Sequence, residues 1–157
     1  QMCIRDRIER AGVGKYGYGS ITAVYTVLAE GDDKTDPIVD IARASLDGQV
    51  MLSRDLADAA HYPAIDLEGS ISRVMESIVE PSHLENANKL RRLWTLYKQN
   101  QDLIQVGAYE SGSNSDLDLA ITLRKEVEDL LQQNSTEAFS MDTCLSLLEK
   151  VLGDDYA

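Results

Sequence analysis

The chain has 157 residues, 43% of them hydrophobic, which is enough for one ordinary folded core. Its formal net charge of −12 argues against nucleic acid or an anionic lipid surface as the main partner, because both require clustered lysine and arginine. The longest apolar runs, such as residues 21–29, fall well short of the roughly 20 residues of a membrane helix, and no signal-peptide pattern is present. These features predict a cytosolic protein.

Short β-rich stretches dominate the chain before Pro81. Residues 21–28, 49–53 and, more weakly, 64–67 are predicted to be the last strands of a mostly parallel sheet. Between the first two, Asp36 is a suitable N-cap and Pro37 fits the first helical position, where its missing N–H is harmless. We therefore expect a helix from Pro37 to about residue 46.

After Pro81 the apolar residues recur at helical spacing. Ser82 and Glu85 form a capping-box pattern, and Gly107 is a plausible end for the helix that follows. A second helix is expected after Ser115 and a third over residues 141–152, where Cys144 lies on the apolar stripe and is predicted to be buried. The inward-facing residues expected of these three helices are Leu84, Ala87, Leu90, Trp94, Tyr97, then Leu117, Ala120, Ile121, Val127, Leu130, Leu131, then Met141, Cys144, Leu145, Leu148, Val151 and Leu152. Together they predict a small helical bundle.

Several short motifs in a fixed order carry a family resemblance. They are Gly19 to Leu28, Glu30-Gly31-Asp32-Asp33, Asp36-Pro37-Ile38, Leu46-Asp47-Gly48, Leu52-Ser53-Arg54 and the run from Tyr62 to Met75. This series resembles the flagellar protein-export ATPases and the type III secretion ATPases, and it is more distantly similar to the β subunit of rotary ATP synthases. The resemblance extends from about residue 8 to residue 152. It implies an α/β fold, with the last strands and helices of a RecA-like P-loop NTPase core in residues 8–80 and a C-terminal helical domain in residues 81–157.

The same resemblance implies the function. A homohexameric ring hydrolyses ATP with Mg²⁺ at its subunit interfaces and couples hydrolysis to protein secretion. The implied partners are other copies of the subunit, export-apparatus stalk and regulator proteins and secreted proteins, at the cytoplasmic side of the inner membrane. Residues 107–114 are rich in Gly, Ser and Asn where synthases are strongly acidic, which favours the export branch. This loop either touches a coiled-coil stalk protein or simply connects two helices. A virulence-type secretion ATPase and a non-catalytic helical interaction module remain alternatives.

Two residues are candidates for the nucleotide site by this resemblance. Arg73, in Ser70-Ile71-Ser72-Arg73, matches the arginine that the family presents to the nucleotide of the neighbouring subunit. Leu84 lies roughly where related subunits place an aromatic ring against adenine, and its alternative role is that of a residue facing the bundle.

A phosphate-binding loop is not expected in this chain. Residues 12–19 contain glycines and Lys15, but Tyr16 follows the lysine instead of a Ser or Thr that could hold magnesium, and the apolar strand comes after the glycines instead of before them. The segment is interpreted as a connector, so ATP and Mg²⁺ would be held mainly by residues that this piece lacks. We therefore expect the chain alone not to turn over ATP. Residues 1–7, which include Cys3, match nothing in the family and are interpreted as a non-native leader.

The remaining polar clusters have plain structural interpretations. Lys89, Arg91 and Arg92 are predicted to form a solvated helix face, and His61 and His83 are predicted to pack or donate and accept hydrogen bonds. The acidic groups Asp32, Asp33 and Asp36, and Asp116 with Asp118, lack calcium-loop spacing and are assigned to loops and caps. No protein-held metal site is predicted.

Overall fold

A computed structural model describes residues 22–28 and 36–152 of the chain. The chain divides into two compact units, Gln1–Ser45 and Leu46–Ala157. The interpretations of residues 1–7 and 12–19, of Cys3 and of Asp32 and Asp33 concern parts of the sequence outside the described residues.

The strand predicted over residues 21–28 is wrong for residues 22–28, the part of it that the structure describes. Residues 22–28 form no regular element, and the side chains of Val24 and Leu28 are 92% and 90% exposed. A strand exists only where neighbouring strands satisfy its backbone groups, so β-rich composition cannot produce one alone. The predicted helix is confirmed: α1 runs over Pro37–Ser45, and the Asp40 N–H donates to the Asp36 carbonyl at 3.0 Å.

The second unit begins with a two-stranded sheet. Strand β1 covers Gly48–Leu52, the short helix α2 covers Arg54–Asp58 and strand β2 covers Ile65–Ser72. The strands are antiparallel, so the expectation of a parallel arrangement is wrong for this pair. Val50 and Leu52 are 70% and 73% exposed while alternate residues are half-buried, the pattern of an antiparallel pair with one solvated face.

Strand β2 carries an irregularity at residues 66–70. The Met51 N–H donates to the Ser70 hydroxyl at 2.9 Å, and that hydroxyl donates to the Asp66 carbonyl at 2.6 Å. The Asp66 carboxylate accepts from the N–H groups of Glu68 and Gly69. These side-chain bonds replace part of the strand ladder, so β2 resumes its pairing with β1 as far as Ser72.

The long helix α4, Pro81–Gln105, follows a short helix α3, Met75–Ile78. The predicted capping box is wrong, because Glu80 is the N-cap and Pro81 occupies the first helical position with no side-chain cap. The predicted end at Gly107 is confirmed. Its φ of 70° lets the chain leave the helix, with Ala108 N–H donating to the Leu103 carbonyl at 2.9 Å.

The predicted second helix is two helices, α5 over Ser115–Thr122 and α6 over Arg124–Leu131. The break falls at Leu123, which is only 2% exposed and therefore belongs to the core. The third predicted helix is confirmed as α7, Met141–Leu152. Met141 and Cys144 are exposed, so their predicted burial is wrong: the helix buries its C-terminal half, where Leu152 is 2% exposed.

The core lies between α4 and the three later helices. Its buried members are Leu90, Leu93, Trp94, Leu117, Ala120, Leu123, Val127 and Leu152. Leu67 of β2 packs against this cluster and so joins the sheet to the bundle. None of the helices among the described residues is long and apolar enough to cross a bilayer.

Candidate functional site

Arg73 is the first residue after β2, and its backbone is fixed. Its N–H donates to the Asp47 carbonyl at 2.8 Å, and the preceding Ser72 pairs with Gly48. The Arg73 side chain is exposed. The strand end therefore holds the Cα position of this exposed arginine.

Gly48 allows the two strands to approach closely beside Arg73. A Cβ atom at this position would lie 2.6 Å from the Ile71 carbonyl oxygen and 3.2 Å from the Ser72 Cα. Both are backbone atoms, which cannot rotate away as a side chain can. The Asp47-Gly48 pair thus sets where β2 ends and where the backbone of Arg73 lies.

Helix α4 supports β2 from the bundle side. The Arg91 guanidinium donates to the Ser70 carbonyl at 2.9 Å, close to Arg73 in the chain. Lys98 lies 3.9 Å from the Glu68 carboxylate, but both side chains are about a third exposed, so this ion pair contributes little. The strand that carries Arg73 is therefore anchored by a hydrogen bond and by the apolar contact of Leu67.

The predicted solvated face is confirmed for Arg92, whose side chain is 71% exposed, but it is wrong for Lys89 and Arg91, which are half-buried. Arg91 binds β2 as described, Lys89 donates to the Leu152 carbonyl at 3.1 Å and Arg92 pairs with Asp116. A cation at the last carbonyls of a helix is favoured by the helix dipole, so Lys89 caps α7. The contacts of Lys89 and Arg91 stabilise the unit, whereas the exposed pair of Arg92 and Asp116 contributes little.

A cleft of about 390 Å³ lies between the segment after α2 and the segment after α6. It is lined on one side by Tyr62, whose side chain is 56% exposed, and on the other mainly by Gln132, Gln133, Asn134 and Glu137. The Gln133 N–H donates to the Tyr62 carbonyl at 2.9 Å and holds the two segments together. An aromatic ring beside several amide groups suits a planar ligand that makes hydrogen bonds at its edge.

His61 lies next to this cleft and is only 7% exposed. Its Nδ1 is 3.2 Å from Gln132 Nε2, and its ring centroid is 6.2 Å from that of Trp94. The prediction that His61 packs and makes hydrogen bonds is confirmed. Sequence reasoning missed that Tyr62 and Gln132 line this cleft. The available signal was an aromatic residue, Tyr62, within the run from Tyr62 to Met75 that carries the family resemblance.

Leu84 lies in the first turn of α4, and its side chain is half-buried. Its N–H donates to the Glu80 carbonyl at 3.1 Å. Leu84 is neither among the residues that line the cleft nor among those packed on the core cluster within residues 36–152. Its contact with adenine stays a prediction.

The loop of residues 107–114 is ordered by one carboxylate. Asp118 accepts from the Tyr109 hydroxyl at 3.0 Å, the Ser111 hydroxyl at 3.2 Å and the Gly112 N–H at 2.8 Å. Asn114 caps α5 by accepting from Asp116 N–H and Leu117 N–H. The assignment of Asp118 to a loop role is confirmed, and the loop has a defined shape.

Across residues 22–28 and 36–152, no group of three or more His, Cys, Asp or Glu side chains is placed to hold a metal ion. The Mg²⁺ that the family resemblance implies, held mainly by residues that this piece lacks, stays a prediction.

Comparison with known proteins places the chain in a class. Residues 3–72 match the nucleotide-binding domain of the ATP synthase alpha/beta family, and residues 79–150 match the C-terminal domain of the type III secretion ATPase EscN. The flagellum-specific ATP synthase of Pseudomonas aeruginosa is 49% identical over 150 residues, which are 96% of this chain and 33% of that protein.

Solved structures agree with these matches. The assembled EscN ATPase of enteropathogenic E. coli matches with a TM-score of 0.82 and 42% identity, over 85% of this chain and 32% of that one. EscN in complex with its central stalk EscO matches with a TM-score of 0.77 and 40% identity, over 85% of this chain and 31% of EscN.

The chain is thus an ATPase-type α/β protein with a helical C-terminal domain, as predicted. It belongs to the family of flagellar and type III secretion ATPases, and it spans about a third of the length of the relatives it matches. The match to the nucleotide-binding domain ends at residue 72, and the match to the C-terminal domain begins at residue 79. The domain boundary predicted after residue 80 stays a prediction.

Proposed function

We propose that this chain is the part of a flagellar protein-export ATPase that supplies an arginine to ATP bound on the neighbouring subunit. The observation that carries the proposal is the position of Arg73, fixed at its backbone by Asp47 and the end of β2 and exposed at its side chain. A residue held in this way can reach a ligand outside its own subunit without reorganising the strand.

The chemistry follows from the charge that develops during phosphoryl transfer. Negative charge spreads over the γ-phosphate oxygens as the bond to the β-phosphate breaks, and a guanidinium group from across the interface stabilises it. Such arginines raise turnover by roughly 10³- to 10⁵-fold. A lysine at the same position lacks the planar pair of donors that matches two phosphate oxygens.

The nucleotide base of the chain's own subunit is assigned to the cleft beside Tyr62. The exposed Tyr62 ring offers a stacking face, and the amides of residues 132–134 offer hydrogen bonds to the edge of a base. Leu84 remains the alternative base contact, through an apolar surface only. One subunit would then serve two nucleotides, its own through the cleft and its neighbour's through Arg73.

The partners follow the same family. An arginine that acts on a neighbour requires an interface between subunits, and a head-to-tail interface of this kind closes into a ring. We infer a homohexameric ring, as the family resemblance implies. EscN was solved with its stalk EscO, and this supports a stalk contact for the chain, with residues 107–114 as the candidate loop. We also propose that the ring binds regulator proteins and secreted proteins and that it lies at the periphery of the inner membrane. A virulence-type secretion ATPase is the second candidate within the family, and the neighbouring genes would separate the two.

The proposal is tested by Arg73→Ala in the complete subunit. We expect ATP affinity to change by less than about twofold and turnover to fall by about 10³-fold or more, because the lost charge acts mainly on the transition state. Arg73→Lys should recover little. Arg54→Ala, which removes another exposed arginine beside the sheet, is the matched control and should leave turnover unchanged. Wild-type turnover in Arg73→Ala would contradict the proposal.

A further inference from the structure

A hydrogen bond close to Arg73 joins the two matched domains. Ser70 lies in β2, within the match to the nucleotide-binding domain, and Arg91 lies in α4, within the match to the C-terminal domain. Arg91 Nη2 donates to the Ser70 carbonyl oxygen at 2.9 Å. The roles of the two groups are fixed, because a guanidinium group can only donate and a carbonyl oxygen can only accept. The helical domain therefore holds β2 three residues before Arg73.

The Ser70 carbonyl lies where the pairing of the two strands is interrupted. Ser70 belongs to the irregular part of β2, between the residues that pair with Gln49 and Met51. Side chains supply hydrogen bonds there: Gln49 Nε2 donates to the Gly69 carbonyl at 2.9 Å, and Arg91 serves the next carbonyl. A half-buried carbonyl that lacks a partner is unfavourable, so the path of β2 at this point depends on Arg91.

Arg91 is held in turn by the core of the helical domain. Leu90 and Trp94, on either side of it in α4, are only 7% and 4% exposed. Close-packed residues of this kind cannot move without disturbing their neighbours, so the hydrogen bond transmits the position of α4 to β2. Arg92 provides an internal contrast, because its side chain is 71% exposed and its partner Asp116 also belongs to the helical domain.

The position of β2 matters for catalysis because Arg73 directly follows this segment. The Arg73 N–H donates to the Asp47 carbonyl at 2.8 Å, and this bond persists only while β2 keeps its path. A displacement of about 1 Å in a group that stabilises a transition state can lower the rate by roughly 100-fold. A shift of β2 at Ser70 would therefore lower turnover although Arg73 itself remains.

We propose that Arg91 is a positioning residue that holds the strand carrying Arg73, so that the helical domain of one subunit controls ATP hydrolysis on its neighbour. The inference rests on the proposed function, because it requires Arg73 to act on the neighbour's nucleotide. Arg91 acts through the backbone of β2 and makes no contact with the nucleotide.

Arg91→Met in the complete subunit removes the donor but keeps an unbranched apolar side chain beside the core. We expect kcat to fall by about tenfold and KM for ATP to change by less than about twofold, because the nucleotide of the subunit's own site is bound elsewhere. Arg92→Met, the same substitution at the next position of α4, is the matched control and should leave kcat unchanged. Wild-type kcat in Arg91→Met would overturn the assignment.

A double variant separates positioning from a general structural role. Arg91→Met combined with Arg73→Ala should turn over at the rate of Arg73→Ala alone, because Arg91 acts only through Arg73. A further loss of about tenfold in the double variant would show that Arg91 acts by another route and would overturn the assignment.

Mixed rings test whether the effect reaches the neighbouring subunit. One form of the complete protein carries Arg91→Met, and the other keeps Arg91 but has the lysine of its phosphate-binding loop replaced. Half of the intact loops in an equal mixture then face a neighbour with Arg91, so turnover should exceed the mean of the two separate forms by roughly fivefold. No gain on mixing would overturn the assignment of Arg91 and leave the proposed function intact, whereas wild-type turnover in Arg73→Ala would defeat the proposed function itself.

Discussion

Gly48→Ala is expected to disturb the end of β2 and, through it, Arg73. The added Cβ would lie 2.6 Å from the Ile71 carbonyl oxygen, whereas ordinary contacts begin at 3.4 Å, so the strands must separate by roughly 0.8 Å. Overpacking of this kind typically costs about 1–3 kcal/mol. The same movement lengthens the 2.8 Å bond between Arg73 N–H and the Asp47 carbonyl, which fixes the arginine.

The assay has two readouts. Urea unfolding of the complete subunit measures the loss of stability, and the turnover of the same protein measures the position of Arg73. Gly107→Ala is the control, because Gly107 has a φ of 70° and nothing within 4 Å of an added Cβ. That control should lose about 1 kcal/mol through backbone strain alone and keep its turnover. If Gly48→Ala unfolds with wild-type free energy and retains full turnover, the close approach at Gly48 does not position Arg73.

Three further predictions concern the helical part. Asp118→Ala removes three hydrogen bonds from residues 107–114, so hydrogen exchange there should accelerate by about tenfold, and unchanged protection would count against it. Lys89→Met should destabilise the complete subunit by about 0.5 kcal/mol by removing the cap on Leu152; chemical denaturation measures this, and equal stability would show that the cap is ineffective. In the 157-residue chain, residues 82–152 should keep helical circular dichroism while residues 19–53 cause aggregation, and a soluble monomer of this chain that unfolds cooperatively would refute this.

Local signals in the sequence were sufficient for α1, for α7 and for the end of α4. The three-and-four spacing of residues 141–152 gives the bounds of α7, and Gly107 ends α4 because its positive φ disfavours side chains. Burial was predicted less well, since an apolar stripe shows which face can be covered but not how far a partner extends. Cys144 lies on such a stripe and is exposed.

Strand direction and the cleft could not be obtained from local patterns. An apolar β-rich run has the same composition in parallel and antiparallel pairs, and the antiparallel pairing of β1 and β2 depends on how the chain returns through α2. The cleft joins residues far apart in sequence, with His61 and Gln132 separated by 71 positions. Arg73 could be proposed from the sequence because it lies within one continuous motif that the family resemblance covers.

The proposed function requires Arg73 to act across a subunit interface, and a mixed-ring assay tests this directly. One form of the complete protein carries Arg73→Ala with an intact phosphate-binding loop, and the other keeps Arg73 but has the lysine of that loop replaced. Each form alone should be inactive. A random equal mixture places an intact loop beside a neighbour's Arg73 at about a quarter of the interfaces, so mixing should restore turnover. Mixed rings that form but remain inactive would contradict the account.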